Sequence, residues 1–161
     1  MLPGTIVSFK INDENLKHFS RQVINPKDCV INAMQLLNII DAKHADLMRI
    51  LIGDKGINEQ QIEAVFNLLD PKWKYSFVRY SSNNLDDIEI VNKVIVPSIE
   101  LGHVLFCGLT WKSGERHVFI LGRYTNGKKI VIDPQQQQMT NDPTEYLDKA
   151  VEVYFLMKKL K

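Results

Sequence analysis

What the sequence is short of narrows the field first. Two cysteines, Cys29 and Cys107, in 161 residues are too few for a disulfide scaffold or a cysteine-rich zinc site. An excess of one charge is missing as well: 20 Lys and Arg stand against 19 Asp and Glu, for a net charge of +1. The basic residues are dispersed rather than gathered into a stripe, so there is no electrostatic case for a nucleic-acid partner. Apolar runs are short, and stretches such as Val118 to Leu121 fall far below the roughly 18 residues of a membrane span. No membrane association is expected. The N-terminal Met-Leu-Pro-Gly-Thr-Ile-Val has neither a basic n-region nor a long apolar h-region, so no secretory signal is expected. The expected compartment is therefore the reducing cytoplasm, with both thiols free. Alanine is scarce at five residues while Lys, Ile and Asn supply 15, 17 and 12, a bias that fits AT-rich coding and says nothing about mechanism. Repeats are absent, and the run Gln135 to Gln138 is too short for a disordered tract.

What is there, 45% hydrophobic and 24% charged residues, suits one compact soluble domain over residues 1–161. A short strand around Thr5 to Phe9 fits the otherwise polar lead-in. From Cys29 to Ile40 the chain is apolar on nearly every side, the pattern of a helix buried in a core, with Asp28 as its N-cap and Cys29 its first residue. A second helix is expected from Ala42 to Ile52, with Leu47, Ile50 and Leu51 on one face. A third follows an Asn58 cap and ends before Pro71. Leu85 to about Val94 reads as a helix ended by Pro97. The period then changes. Val104 to Trp111, His117 to Tyr124, Lys128 to Asp133 and Val151 to Met157 read as four antiparallel strands. Helices first and strands later is the α+β pattern, a helical lobe over about 25–70 packed on an antiparallel β lobe over about 100–158.

Asn126-Gly127 marks a hairpin turn, and its loop length decides a register. A two-residue loop would set Ile120 opposite Asp133 and turn His117 to the other side of the sheet. A three-residue loop, with Gly127 left-handed in a bulge, would set Phe119 opposite Asp133. His117 and Asp133 would then share a face, about 7 Å apart at the backbone.

That geometry matters because of Cys29. A thiol at a helix N-terminus gains most from unpaired N–H groups and the helix dipole, which favour the thiolate nucleophile. Such a nucleophile needs an imidazole to pair with it and to protonate the leaving group, and a third group to orient that imidazole. Asp28-Cys29-Val30-Ile31-Asn32-Ala33, then His117-Val118-Phe119-Ile120, then Lys129-Ile130-Val131-Ile132-Asp133-Pro134-Gln135 resemble the Cys, His and Asp boxes of the papain-like fold hydrolases. The resemblance spans residues 22–138 by its motifs. The His-Val-Phe box with its Ile-Asp-Pro-Gln strand end is similar to papain-fold toxins whose better-known members deamidate glutamine.

The resemblance implies Cys29 as nucleophile, His117 as general base and acid, and Asp133 as orienting carboxylate. For the oxyanion hole it implies a glutamine six positions ahead of the nucleophile, where this chain has Val23. Gln22, one residue further back, and Asn25 are the alternative donors beside the Cys29 backbone N–H. Asp28 and Gln135 are cleft candidates, Gln135 having a strand-terminating surface role as its equal alternative. The activity implied is that of a cysteine peptidase acting on a protein, with ubiquitin or a ubiquitin-like protein as the first candidate. A glutamine deamidase using the same triad is the alternative, and an inactive binding module the third reading. No cofactor is implied.

The remaining polar residues read as structural. Cys107, in an apolar strand, is a core thiol. His103 reads as a surface or hydrogen-bonded histidine, and its distance from Cys107 along a strand, about 13 Å, is too long for one metal. His18 and His44 are solvated. Trp73, Tyr75, Phe77 and Tyr80 form an aromatic cluster expected in the core, in a cleft wall or at a partner surface.

Overall fold

The computed structural model describes residues 4–11, 29–52, 56–81, 85–136 and 138–161. Helix α1 (Cys29–Leu36) is buried on nearly every side, with Val30, Ile31, Ala33, Met34 and Leu36 inside. It stops four residues short of the expected Ile40. Asn38 takes the left-handed conformation (φ 58°) and the Ile39 N–H closes onto the Met34 carbonyl at 2.9 Å, a Schellman ending in which Asn stands in for Gly. Helices α2 (Ala42–Ile52) and α3 (Glu59–Leu69) have the expected bounds. A reciprocal capping box opens α3: the Gln61 N–H donates to Asn58 Oδ1 at 2.8 Å and the Asn58 N–H to Gln61 Oε1 at 2.9 Å.

Leu47, Ile50 and Leu51 share one face of α2, and that face is turned to solvent, Ile50 being 78% and Leu51 75% exposed. The inward side of α2 carries Ala45 and Arg49 instead, four residues apart on one face, because Arg49 finds hydrogen-bond acceptors in α1. One expectation needs correction: Pro97 does not end its helix at Val94. Helix α4 (Leu85–Ile90) runs into a π turn (Val91–Ile95) and then α5 (Val96–Ser98). The wide turn, with the Val96 N–H reaching back to the Val91 carbonyl, accommodates a proline that an α-helical ladder would reject.

The sheet is wider than the four expected strands. Among the described residues it has eight: β1 (Thr5–Ile6), β2 (Ser8–Lys10), β3 (Trp73–Ser81), β4 (His103–Trp111), β5 (Arg116–Arg123), β6 (Lys129–Asp133), β7 (Gln138–Thr140) and β8 (Ala150–Leu160). All pairings are antiparallel. Strand β8 pairs with β3 along its length on one side and with β4 on the other, and β4, β5, β6 and β7 follow in order. Strands β1 and β2 pair with β8 and β4 respectively. The aromatic cluster is β3 itself. Its alternation sends Trp73, Tyr75 and Phe77 to one face and Val78 and Tyr80 to the other.

Both faces are covered. Helices α1 and α3 pack on one, over Phe106, Ile120, Ile132 and Leu156. The π turn, α5 and a short helix α6 (Thr144–Asp148) pack on the other, over Cys107, Phe119, Val131 and Phe155. The β5–β6 turn is the three-residue one. Gly127 has φ 88°, its N–H donates to the Tyr124 carbonyl at 2.9 Å, and Ile120 pairs with Ile132. Phe119 therefore stands opposite Asp133, and His117 and Asp133 fall on one face. The fold class is α+β, as expected.

Candidate active site

Helix α1 lies against β5, which brings its first residue, Cys29, beside the start of that strand, where His117 stands. The His117 ring is hydrogen-bonded both to Cys29 and to Asp133, with Nε2 2.7 Å from Asp133 Oδ2. Burial alone would disfavour the imidazolium. The bonds and negative charge of Asp133 and Cys29 outweigh it and raise the His117 pKa to about 9. An imidazole held this way keeps its proton through neutral pH, as an ion pair with a thiolate requires.

Asp133 is fully buried, a position a carboxylate tolerates only when donors surround it. Oδ2 accepts from His117 and from the Tyr146 hydroxyl at 3.0 Å, while Oδ1 accepts the Gln136 N–H at 3.1 Å. Trp111 lies nearly parallel to the imidazole, planes 24° apart and centroids 6.1 Å apart, and Tyr146 stacks on Phe119 at 5.2 Å. A polar bridge ties the cysteine helix to the turn after Asp133. Asn32 Nδ2 donates to Gln135 Oε1 at 2.8 Å, and Arg49 Nη2 donates to Asn32 Oδ1 at 2.6 Å and to Gln35 Oε1 at 3.0 Å.

A cleft of about 670 Å³ opens at Cys29 and His117. Val30, Ile57, Ile62, Val118 and Tyr154 give it apolar walls, and Glu59, Glu115 and Arg116 a charged rim. Glu59 pairs with both Arg79 and Arg116. The Tyr154 ring crosses the backbone at Gly108, where an added Cβ would come within 2.0 Å of the ring and 2.7 Å of its hydroxyl. Burial pushes that phenol up to about 12, so it stays neutral in the cleft lining. A smaller cavity of about 320 Å³ lies beyond Trp111 and Tyr146 and shares Glu115 with the cleft.

No protein-family model matches the sequence, and a search of curated proteins finds no match. Two solved structures resemble it. A double glycine motif protease from an AMS/PCAT transporter, solved in complex with the leader peptide, has a TM-score of 0.47 and 14% identity over 100% of this chain and 97% of that one. The Pseudomonas avirulence protein AvrPphB has a TM-score of 0.38 and 9% identity over 96% of each chain. Both likenesses are remote, and the chemistry here has to be read from this chain's own residues.

Cys29, His117, Asp133 and Gln135 come together at one end of the sheet, Gln135 lining the cleft rather than outer surface. Gln22, Asn25 and Asp28 lie outside the described residues, as does His18. Cys107 is fully buried, its thiol pushed well up by burial. His103 is tied to Ser8 Oγ at 3.1 Å, and exposed His44 to Asp41 at 2.7 Å. No group of three or more His, Cys, Asp or Glu among the described residues could hold a metal, and no helix among them is long and apolar enough to cross a membrane. The sequence reading missed Tyr146, Trp111, Asn32 and Arg49. Trp111 ends a strand that pairs with β5, with Thr110 opposite Arg116, a proximity to His117 that the strand assignment already contained. Tyr146, Asn32 and Arg49 reach the site only through tertiary packing.

Proposed function

We propose that the chain is a papain-like cysteine peptidase in which Cys29, His117 and Asp133 form a catalytic triad. The observation that carries this reading is one continuous polar line: a cysteine at a helix N-terminus, hydrogen-bonded to a histidine whose Nε2 meets a fully buried carboxylate at 2.7 Å. Cys29 attacks the carbonyl carbon of an amide and forms a C–S bond. The tetrahedral oxyanion collapses as His117 gives its proton to the departing nitrogen, leaving an acyl-enzyme and a free amine. Water then attacks the acyl carbon while His117 takes its proton, the C–S bond breaks, and a carboxylate leaves. Asp133 holds the ring in the orientation both proton transfers use. The Cys29 backbone N–H, with Gln22 or Asn25, is the proposed oxyanion hole.

The main cleft and the cavity beyond Trp111 offer space on both sides of a scissile bond, which cleavage of a main-chain or isopeptide bond needs and deamidation, whose leaving group is only ammonia, does not. The proposed substrate is accordingly a protein, and ubiquitin conjugates are the first to test. Incubation with ubiquitin chains and with a mixed peptide library, followed by intact mass, separates the readings. Cleavage supports a peptidase, and cleavage of the chains supports a deubiquitinase. A gain of about 1 Da per site with every chain intact marks a glutamine deamidase, since amide-to-acid conversion uses the same acyl-enzyme. No product of either kind, together with no preferential alkylation of Cys29 by iodoacetamide at neutral pH, refutes an active thiol.

A further inference from the structure

We propose that Tyr146 is a positioning residue whose hydroxyl holds the Asp133 carboxylate aimed at His117. The inference rests on the reading of His117 and Asp133 as a catalytic pair. Asp133 is fully buried, and among the described residues its one ion-pair partner is His117. A buried carboxylate with a histidine as counter-ion must draw the rest of its stabilisation from neutral donors. Two are present. The Gln136 N–H reaches Oδ1 at 3.1 Å, and the Tyr146 hydroxyl reaches Oδ2 at 3.0 Å, the oxygen that also receives His117 at 2.7 Å. Of these two donors, Tyr146 is the one that shares its oxygen with the imidazole and so fixes where that oxygen sits.

The fold holds Tyr146 firmly in place. Helix α6 begins on the Pro143 carbonyl, which accepts from the Tyr146 and Leu147 N–H groups at 3.1 Å each. Leu147 is buried beside it, and the Tyr146 ring packs between Phe119, at 5.2 Å, and Trp111, at 6.2 Å. Trp111 in turn covers the imidazole. Packing of this kind needs only a ring, which phenylalanine would supply equally well; the hydroxyl is what reaches Asp133. Among the described residues, the titratable group that faces Asp133 and Tyr146 is His117 from β5, which in turn faces Cys29 from α1. Glu115 and Lys149 line the cavity that Tyr146 itself borders.

The test is Tyr146→Phe, followed by NMR titration of the His117 ring and, where turnover is found, by kcat and KM. Removing a neutral donor leaves the Asp133 charge less compensated, so His117 should hold its proton more tightly. Its midpoint is expected to rise by about half to one pH unit. Looser aim should lower kcat about three- to tenfold and leave KM unchanged. In the Asp133→Asn background the same substitution should shift neither quantity further, as coupled residues behave in a double-mutant cycle. An unmoved His117 midpoint in Tyr146→Phe overturns the proposal, and so does an effect of equal size with Asp133 already replaced. The titration needs no turnover. A wild-type protein that hydrolyses nothing, yet whose His117 responds to Tyr146→Phe, refutes the peptidase reading and leaves the positioning role standing.

Discussion

Replacing Asp133 by asparagine removes one charge and one acceptor from a site where each has a visible use. Both carboxylate oxygens accept: Oδ2 from His117 and Tyr146, Oδ1 from the Gln136 N–H. An amide offers one oxygen, so whichever way it turns its NH2 faces a donor. The resulting mismatch in a fully buried position should cost about 1–3 kcal/mol of stability. The larger effect is on protonation. His117 stands at about 9 against an ordinary 6.5, a difference worth roughly 3 kcal/mol in favour of the imidazolium. At pH 7.5 a group titrating at about 9 is about 97% protonated, whereas one titrating at 6.5 is about 9% protonated. With Asp133→Asn, burial is no longer opposed by a carboxylate and His117 moves back toward 6.5. The pH dependence of amide hydrolysis should show the alkaline limb, set by loss of the His117 proton, falling from near pH 9 toward neutrality. The rate at pH 7.5 should drop by on the order of a hundredfold, since imidazolium is lost and ring orientation with it. An Asp133→Asn protein that keeps an alkaline limb near pH 9 and a wild-type rate would refute the assigned role of Asp133.

Other outcomes follow from the same geometry. In the wild type, hydrolysis should be lost as the pH rises through about 9, because a raised histidine pKa keeps the leaving-group proton available below that value and releases it above; a pH–rate profile checks this. Iodoacetamide should modify one thiol in the native protein, Cys29, and the second, Cys107, only after unfolding, since Cys107 is fully buried with its thiol pushed well up; mass spectrometry of the native and unfolded protein counts them. Arg49→Met should destabilise by about 1.5–3 kcal/mol in urea unfolding and slow catalysis, because Arg49 holds the Asn32 that bonds Gln135 beside the cleft. Gly108→Ala should displace the Tyr154 ring, which a Cβ would meet at 2.0 Å, costing about 1–3 kcal/mol and raising KM; an unchanged melting temperature and KM would show that the ring can yield.

Local chemistry is what a single chain displays most openly, and the elements that follow from it were legible. The Asn58 cap, the Ala42–Ile52 helix and the four later strands are encoded by neighbours within a few residues. So is the position of the Asn126-Gly127 turn, but not its length: two- and three-residue loops both fit the sequence, and the structure has the three-residue form with Gly127 left-handed, which places His117 and Asp133 on one face. Motif order and a family resemblance singled out Cys29, His117 and Asp133, and β5–β6 register placed the last two together. Asn38 was overlooked as a helix terminator because the apolar pattern ran past it. Leu47, Ile50 and Leu51 form the stripe that periodicity gives, but periodicity does not say which side of the helix has a partner.

By itself, then, the sequence determined the fold class, the helix starts and turns, and the side-chain types available for thiol chemistry, all properties of short windows. Only the tertiary structure decided that β8, last in the chain, pairs with β3 and β4, and that α2 turns Arg49 rather than its leucines inward. It likewise decided that Tyr146, thirteen residues beyond Asp133, returns to bond it. Such contacts join residues distant along the chain, and what selects them is the need to satisfy buried polar groups and cover both faces of one sheet at once. That requirement can be evaluated only when every element is in place.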